Sequence, residues 1–163
     1  AVEFEEALCW LEIDSADVGP VHIREGVRTD ARDDVAAVWQ ALVLGVRDYV
    51  NKNGFPGVVL GLSGGIDSAV TLAVAVDALG AERVNAVMMP FRYTASISIE
   101  DAQAQADAMG VAYRSISIES LYESFTEALA EEFQGLAPNI TEENLQARCR
   151  GVLLMSISNK KNL

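Results

Sequence analysis

Basic residues are scarce in this sequence. Its 163 residues include 12 Lys and Arg against 24 Asp and Glu, which gives a formal net charge of -12 at pH 7. Affinity for a nucleic-acid backbone depends on clustered cations, so the composition excludes a nucleic-acid binder. Any phosphate that the chain binds must be held by backbone N–H groups, a few cations and a metal ion.

Cysteine and long apolar runs are also lacking. The two cysteines, Cys9 and Cys149, lie far apart and form no C-x-x-C pair, so neither a zinc site nor a disulfide framework is indicated. No apolar run approaches the roughly 20 residues of a membrane span. The acidic residues Glu3, Glu5 and Glu6 are unlike a signal peptide. We therefore predict a cytoplasmic protein with no membrane partner.

Strands alternate with helices along most of the chain. Residues 7–13 are a candidate strand, although residues 1–28 do not look like a self-contained unit. Apolar spacing predicts helices at 33–53, 66–79, 99–109 and 120–133 and from Thr141 onward, and buried or alternating strands at 58–62, 84–89 and 111–118. This order indicates an α/β fold, a doubly wound parallel sheet with helices on both faces.

The last predicted helix carries two stripes. Thr141 is a suitable N-cap, and the stripe expected to face the core consists of Leu145, Cys149, Val152, Leu153 and Ser156. The second stripe consists of Asn144, Arg148, Gly151 and Met155. Because residues four apart share a helix face, Asn144 and Arg148 point the same way, one turn apart.

The loop Ser63–Ser68 lies between a predicted buried strand and a predicted buried helix. Gly64 and Gly65 allow the backbone to approach a phosphate, and the hydroxyls of Ser63 and Ser68 add donors. Asp67 is suited to bind the Mg²⁺ that accompanies ATP. The alternative is a plain strand-to-helix turn with Asp67 in the first helical turn. The loop is neither a Walker A motif nor G-x-G-x-x-G, and its position favours phosphate binding.

The segment Gly61-Leu62-Ser63-Gly64-Gly65-Ile66-Asp67-Ser68 resembles the PP-loop of the N-type ATP pyrophosphatases. Two further segments are similar to glutamine-dependent NAD synthetases. Val87-Met88-Met89-Pro90 with Arg92-Tyr93-Thr94 resembles their second strand and following loop, and Glu143-Asn144-Leu145-Gln146-Ala147-Arg148 with Leu153-Met155-Ser156-Ser158-Asn159-Lys160 resembles their dimer-interface helix. The similarity covers about residues 30–160 and implies a sheet like that of the adenine nucleotide α-hydrolases.

The resemblance implies roles for individual residues. It assigns ATP binding to Gly61, Leu62, Ser63, Gly64, Gly65, Ile66, Asp67 and Ser68, with the backbone near Met88 and Met89 reading adenine. It also implies that Asp67 binds Mg²⁺ and that Asn144 and Arg148 hold deamido-NAD. The alternatives are two core methionines at a strand end and a solvated helix charge at Arg148.

The implied reaction converts deamido-NAD to NAD. The nicotinate carboxylate attacks the α phosphorus of ATP, and ammonia, derived from glutamine in the full-length enzyme, opens the adenylate to the amide. No side-chain nucleophile is required, so no catalytic side chain is assigned. Another PP-loop ATP pyrophosphatase and a non-catalytic nucleotide-binding module remain alternatives.

The resemblance also divides the chain. It implies that residues 1–30 are the end of a glutaminase domain and its linker, and that residues 31–163 are the N-terminal half of the synthetase domain. The family continues beyond the position of Lys160 into a second metal ligand, so we expect the 163-residue chain alone to be inactive. A homodimer or higher homo-oligomer through the last helix is implied. His22, Cys9 and Cys149 receive no role.

Overall fold

A computed structural model describes residues 3–14, 19, 22–26 and 33–163, in two compact units, Ala1–Leu44 and Gly45–Leu163. In the first unit, β1 (Leu11–Asp14) and β2 (His22–Gly26) form an antiparallel pair whose register shifts between Glu12 and Ile13. The candidate strand at 7–13 is therefore confirmed only in its second half.

Helix α1 (Asp34–Lys52) agrees with the predicted helix at 33–53. Its start is fixed by Asp33, whose Oδ1 accepts a hydrogen bond from the Ala36 N–H at 3.0 Å. A turn at Gly54, with a positive φ of 72°, follows its end.

The second unit contains a three-stranded parallel sheet in the order β3 (Val58–Gly61), β4 (Val84–Met88) and β5 (Ala112–Ser115). The central strand β4 is buried along nearly its whole length, as its continuous apolar sequence predicts. Strand β3 is only half-buried, because it pairs with β4 alone among the described strands.

Helices cover the sheet, which confirms the doubly wound prediction. Helix α2 (Ile66–Leu79) packs against β4 and against α3 (Ser96–Met109), and α5 (Ile140–Lys161) packs against β3 and against α4 (Glu119–Ala128). None of the helices within the described ranges is long and apolar enough to cross a membrane.

Two elements, a helix and a strand, end several residues earlier than the sequence predicts. Helix α4 ends at Ala128 instead of Phe133, and the acidic pair Glu131 and Glu132 lies just beyond it. Negative charge near a helix C-terminus opposes the helix dipole, which accounts for the early end. Strand β5 ends at Ser115, although the Ile118 N–H still donates to the Pro90 carbonyl at 3.1 Å.

Helix α5 differs from the prediction in its cap. Asn139, not Thr141, is the N-cap: Asn139 Oδ1 accepts from the Thr141 N–H at 2.8 Å, and Glu142 Oε2 accepts from the Asn139 N–H at 2.7 Å. This reciprocal capping box leaves Thr141 inside the first turn, where it cannot act as the cap.

The core-facing stripe of α5 is also partly wrong. Cys149 is 1% exposed and Leu153 packs against the same cluster, as predicted. Val152 is 57% exposed and Ser156 is exposed, whereas Leu154 and Ile157 pack against the core in their place. Helix α5 therefore packs against the core with a different face from the one that its apolar spacing predicts.

Candidate nucleotide-binding site

The glycine-rich loop lies at the carboxyl end of β3, where ligands bind in open α/β sheets. One residue past the strand, the Leu62 N–H still donates to the Val87 carbonyl at 2.9 Å. Helix α2 then begins at Ile66, with Gly65 as an extended N-cap that offers no side-chain capping bond. The first-turn N–H groups of α2 therefore have no side-chain cap that would compete with an anion.

The two loop serines hold the loop in shape. Ser68 Oγ accepts from the Ser63 N–H at 3.1 Å and donates to the Gly65 carbonyl at 2.9 Å. The two hydroxyls lie 3.1 Å apart, and the Gly65 N–H donates to Ser63 Oγ at 3.3 Å. All four hydrogen bonds can form together when Ser63 Oγ donates to Ser68 Oγ. The hydroxyls that the sequence marks as phosphate donors thus also bind the loop to the first turn of α2.

Gly64 lies where the backbone conformation and the available space both require glycine. Its φ is +79°, in the region that L side chains rarely adopt. A Cβ at this position would lie 2.2 Å from the backbone oxygen of Ser98, in the first turn of α3. The loop is therefore pressed against α3, and the contact is possible only because the side chain is a hydrogen atom.

A cavity of about 650 Å³ opens between the loop, the end of β4 and α5. This volume is within the range of small-molecule sites. Its lining includes two groups that the sequence assigned to ATP, the start of the loop and the methionine pair, together with residues of α5: Gly61, Leu62, Ser63, Val87, Met88, Met89, Thr94, Ala147, Arg150, Gly151 and Leu154. The remaining predicted ATP contacts, Gly64 to Ser68, continue from Ser63 into α2.

The methionine pair belongs largely to the core, because Met88 is 2% and Met89 7% exposed. Their carbonyls are also engaged: Met88 O accepts from the Ile116 N–H at 2.8 Å, and Met89 O accepts from Arg150 Nε at 3.2 Å. Each carbonyl has a second lone pair that could accept from a base. Adenine recognition by this backbone therefore remains a prediction.

The predicted deamido-NAD residues lie on the outer side of α5. Asn144 and Arg148 are both exposed. Arg148 lines a separate depression, which shares Ala147 and Gly151 with the larger cavity. Asn144 lines neither the cavity nor this depression. Their role in binding deamido-NAD remains a prediction.

Asp67 is exposed in the first turn of α2, and its backbone oxygen accepts from Thr71 Oγ1 at 2.8 Å. In the part of the chain that the structure describes, no group of three His, Cys, Asp or Glu side chains could hold a metal ion. Mg²⁺ is usually bound by one or two carboxylates together with substrate phosphates and water. A single carboxylate beside a phosphate-binding loop fits that donor set.

Arg150 and Thr94 line the cavity, although the sequence assigned neither of them a role in binding. Thr94 Oγ1 accepts from the Phe91 N–H at 2.9 Å, and the Thr94 N–H donates to the Phe91 carbonyl at 2.8 Å, so the two residues close a turn after β4. Arg150 lies two residues from Arg148 and therefore on another face of α5. Arg150 lies four residues before Leu154, which packs against the core, but apolar spacing did not predict that face of α5.

Cys149, next to Arg150, is not a candidate nucleophile. Burial raises the pKa of its thiol, although the positive charge of Arg150 opposes the shift. A thiol of raised pKa stays protonated near neutral pH and is a weak nucleophile. Its place in the core cluster with Val87, Met89, Phe91 and Ile118 indicates a packing role.

A glycine loop between a parallel strand and a helix start, open to a cavity of nucleotide size, defines a PP-loop α/β domain. The family model described as NAD synthase matches residues 38–163. The chain belongs to the NAD synthase family.

Curated relatives support the assignment. The chain is 48% identical over 160 residues to the glutamine-dependent NAD(+) synthetase of Acinetobacter baylyi, covering 98% of this chain and 29% of that protein. It is 54% identical over 125 residues to the enzyme of the same name from Xylella fastidiosa, covering 77% and 23%. The chain thus spans less than a third of the length of these relatives.

Solved structures agree with the sequence relatives. The glutamine-dependent NAD+ synthetase of Acinetobacter baumannii in complex with ADP aligns with a TM-score of 0.81 at 54% identity, covering 86% of this chain and 26% of that one. The NH3-dependent NAD synthetase of Campylobacter jejuni, in complex with nitrate, aligns with a TM-score of 0.71 at 30% identity, covering 80% and 55%.

Proposed function

We propose that this chain supplies the ATP-binding part of an active site that amidates deamido-NAD to NAD. The observation that carries the proposal is the loop Ser63–Ser68, which presents an uncapped helix start and a close-packed glycine beside a cavity of nucleotide size. Family membership selects the reaction, and the related A. baumannii enzyme is known in complex with ADP.

The proposed chemistry begins with adenylation. A nicotinate oxygen of deamido-NAD bonds to the α phosphorus of ATP, the bond between that phosphorus and the bridging oxygen breaks, and pyrophosphate leaves. Ammonia then bonds to the carboxyl carbon, AMP leaves, and a proton is lost to give the amide. Activation is needed because hydroxide is a poor leaving group.

Several of the predicted site residues have a distinct part in this scheme. The N–H groups at the start of α2 bind phosphate oxygens, and the hydroxyls of Ser63 and Ser68 join them by giving up their bonds within the loop. Both sets of donors stabilise charge on the departing pyrophosphate. Asp67 would hold Mg²⁺, which when bound neutralises part of that charge. Asn144 and Arg148 hold deamido-NAD on the adjoining surface of α5. No side-chain nucleophile takes part.

We also propose that the chain contains parts of two domains. Residues 1–30 would end a glutaminase domain and its linker, and residues 31–163 would begin the synthetase domain, so that glutamine is the source of ammonia. The free thiols of Cys9 and Cys149 are compatible with the reducing cytoplasm that we propose as its location.

Product analysis tests the proposed reaction. We expect the full-length protein, given ATP, Mg²⁺, deamido-NAD and ammonium, to release NAD, AMP and pyrophosphate in equal amounts. ADP with inorganic phosphate would exclude cleavage between the α and β phosphates. AMP formation with XMP but not with deamido-NAD would indicate another PP-loop enzyme, and no AMP with either substrate would indicate a binding module.

We also propose that α5 joins two copies of the protein. Its outer face exposes Val152 (57%) and Met155 (58%), and a Cβ on Gly151 would meet no atom within 4 Å. A glycine costs a helix interior about 1 kcal/mol relative to alanine. That cost is understandable if the backbone of another helix approaches at Gly151.

Gly151→Leu is expected to shift the mass measured by light scattering toward the monomer, because the added side chain would separate the paired helices. Gly45→Leu is the matched control, since Gly45 is also an exposed helical glycine with nothing within 4 Å of its Cβ position. Both changes raise helix propensity. A monomeric wild type, or an unchanged mass in the Gly151 variant, would refute an interface at this face.

A further inference from the structure

Arg150 is tied to the end of the central strand. Its Nε donates to the Met89 carbonyl at 3.2 Å, a bond between residues 61 positions apart in the sequence. A guanidinium carries five N–H donors in a rigid plane, and this bond uses one of them. The side chain is half-buried, so its position is restricted while donors remain for another acceptor.

Arg150 is also the source of charge in the nucleotide cavity. Among the described residues that line this cavity, only Arg150 has a side chain that is charged at neutral pH. The chain as a whole carries a net charge of -12, which is unfavourable for a polyanionic ligand. A local cation inside the cavity would therefore have a large influence on the affinity for phosphate.

Two other arginines are less suited to this role. Arg92, in the loop after β4, is engaged by two carboxylates: its Nε lies 2.9 Å from Glu119 Oε1 and its Nη2 lies 2.7 Å from Glu123 Oε1. Arg148 lines the separate depression on α5 and not the cavity. The carboxylates offset the charge of Arg92, and the position of Arg148 keeps it outside the cavity.

We propose that Arg150 is a phosphate-binding residue of this cavity, oriented by its bond to the Met89 carbonyl so that the remaining guanidinium donors are available to the phosphates of ATP. A planar fork of N–H donors matches the oxygens of a phosphate group, which a lysine in the same place would match less well. This inference rests on the proposed function, because it assumes that the cavity binds ATP.

A purely structural role makes a different prediction. If Arg150 only fastened α5 to β4, its loss would deform the cavity and weaken every adenine ligand by a similar factor. If Arg150 contacts phosphate, its loss weakens the binding of each ligand in proportion to the number of phosphates that the ligand carries. A series of ATP, ADP, AMP and adenosine, each measured by calorimetry with Mg²⁺, separates the two roles.

We expect Arg150→Met to weaken ATP binding by roughly 10- to 100-fold, the effect of losing a hydrogen bond to a charged group. Adenosine binding should change less than about twofold, within the range of a surface change. Arg150→Lys keeps the charge without the fork and should fall between Arg150→Met and the wild type. Arg114→Met is the matched control, since exposed Arg114 on β5 lies outside the cavity.

The outcomes are distinguishable. If the wild type binds ATP and Arg150→Met weakens all four ligands equally, Arg150 is a structural tie and the inference is overturned while the nucleotide site stands. If the wild type itself binds none of the four, the proposed function fails first. Should Arg150→Met melt at a much lower temperature, the comparison of ATP with adenosine is made on Arg150→Lys, where equal losses overturn the inference in the same way.

Discussion

Gly64→Ala is expected to abolish detectable ATP binding and to lower the free energy of unfolding. The new Cβ would lie 2.2 Å from the Ser98 carbonyl oxygen and 2.7 Å from the Ser98 Cα, so the loop or the start of α3 must move. A side chain held at a positive φ costs on the order of 1–3 kcal/mol before the clash is counted. Movement of the loop would then disperse the N–H groups that bind phosphate.

Two further glycine variants separate the cost of a positive φ from the effect of a side chain on the approach of ATP. Gly135→Ala introduces a side chain at a φ of +77° with nothing within 4 Å, so its loss of stability in urea reports the backbone term alone. Gly65→Ala has an ordinary φ of -91° and its Cβ would lie 3.4 Å from Ser63 Oγ, so we expect it to fold. Weaker ATP binding by a folded Gly65→Ala would then report the close approach of the ligand.

The explanation fails if Gly64→Ala loses no more stability than Gly135→Ala, because the contact with Ser98 would then cost nothing. It also fails if Gly64→Ala binds ATP as the wild type does. Both quantities can be measured on one preparation, by urea unfolding and by calorimetry.

The features that sequence predicted well are those encoded locally. A short apolar run followed by glycines and a helix start fixes β3, the loop and α2 within about 20 residues, since strand burial, tight turning and helix initiation depend on neighbours in the chain. The helix before Gly110 ends as predicted, because that glycine takes the left-handed conformation, with a φ of +67°, that closes a helix.

The features that sequence missed depend on docking between distant elements. The face of α5 was misjudged because Val152 and Leu154 are both apolar, and only contact with the Val87 cluster decides that Leu154 and Ile157 are packed inward. Arg150 was missed because it donates to the Met89 carbonyl, a backbone atom, and the spacing of side chains does not reveal a backbone partner. Thr141 was mistaken for the cap because Asn139, two residues earlier, offers the same chemistry.

Asp67→Asn is expected to remove most of the Mg²⁺ dependence of ATP binding. In the full-length protein it should also lower the rate constant for amide formation by roughly 10²- to 10³-fold, the usual loss when one charge-stabilising group is removed. Asparagine keeps the size of the side chain but not the negative charge that a hard cation prefers. Folding should be unaffected, because Asp67 is exposed and the hydrogen bond to Thr71 uses the backbone oxygen of Asp67.

The sign of the effect without metal gives the sharpest test of this role. When Mg²⁺ is chelated, a carboxylate at the loop repels the phosphates, so Asp67→Asn should bind ATP at least as tightly as the wild type, whereas with Mg²⁺ it should bind more weakly. Asp101→Asn, which removes one charge from the exposed surface of α3, controls for the change in net charge and should leave both affinities unaltered. Equal Mg²⁺-dependent affinities in the wild type and Asp67→Asn would show that Asp67 does not bind the metal. The loop would then bind phosphate through its N–H groups and hydroxyls alone.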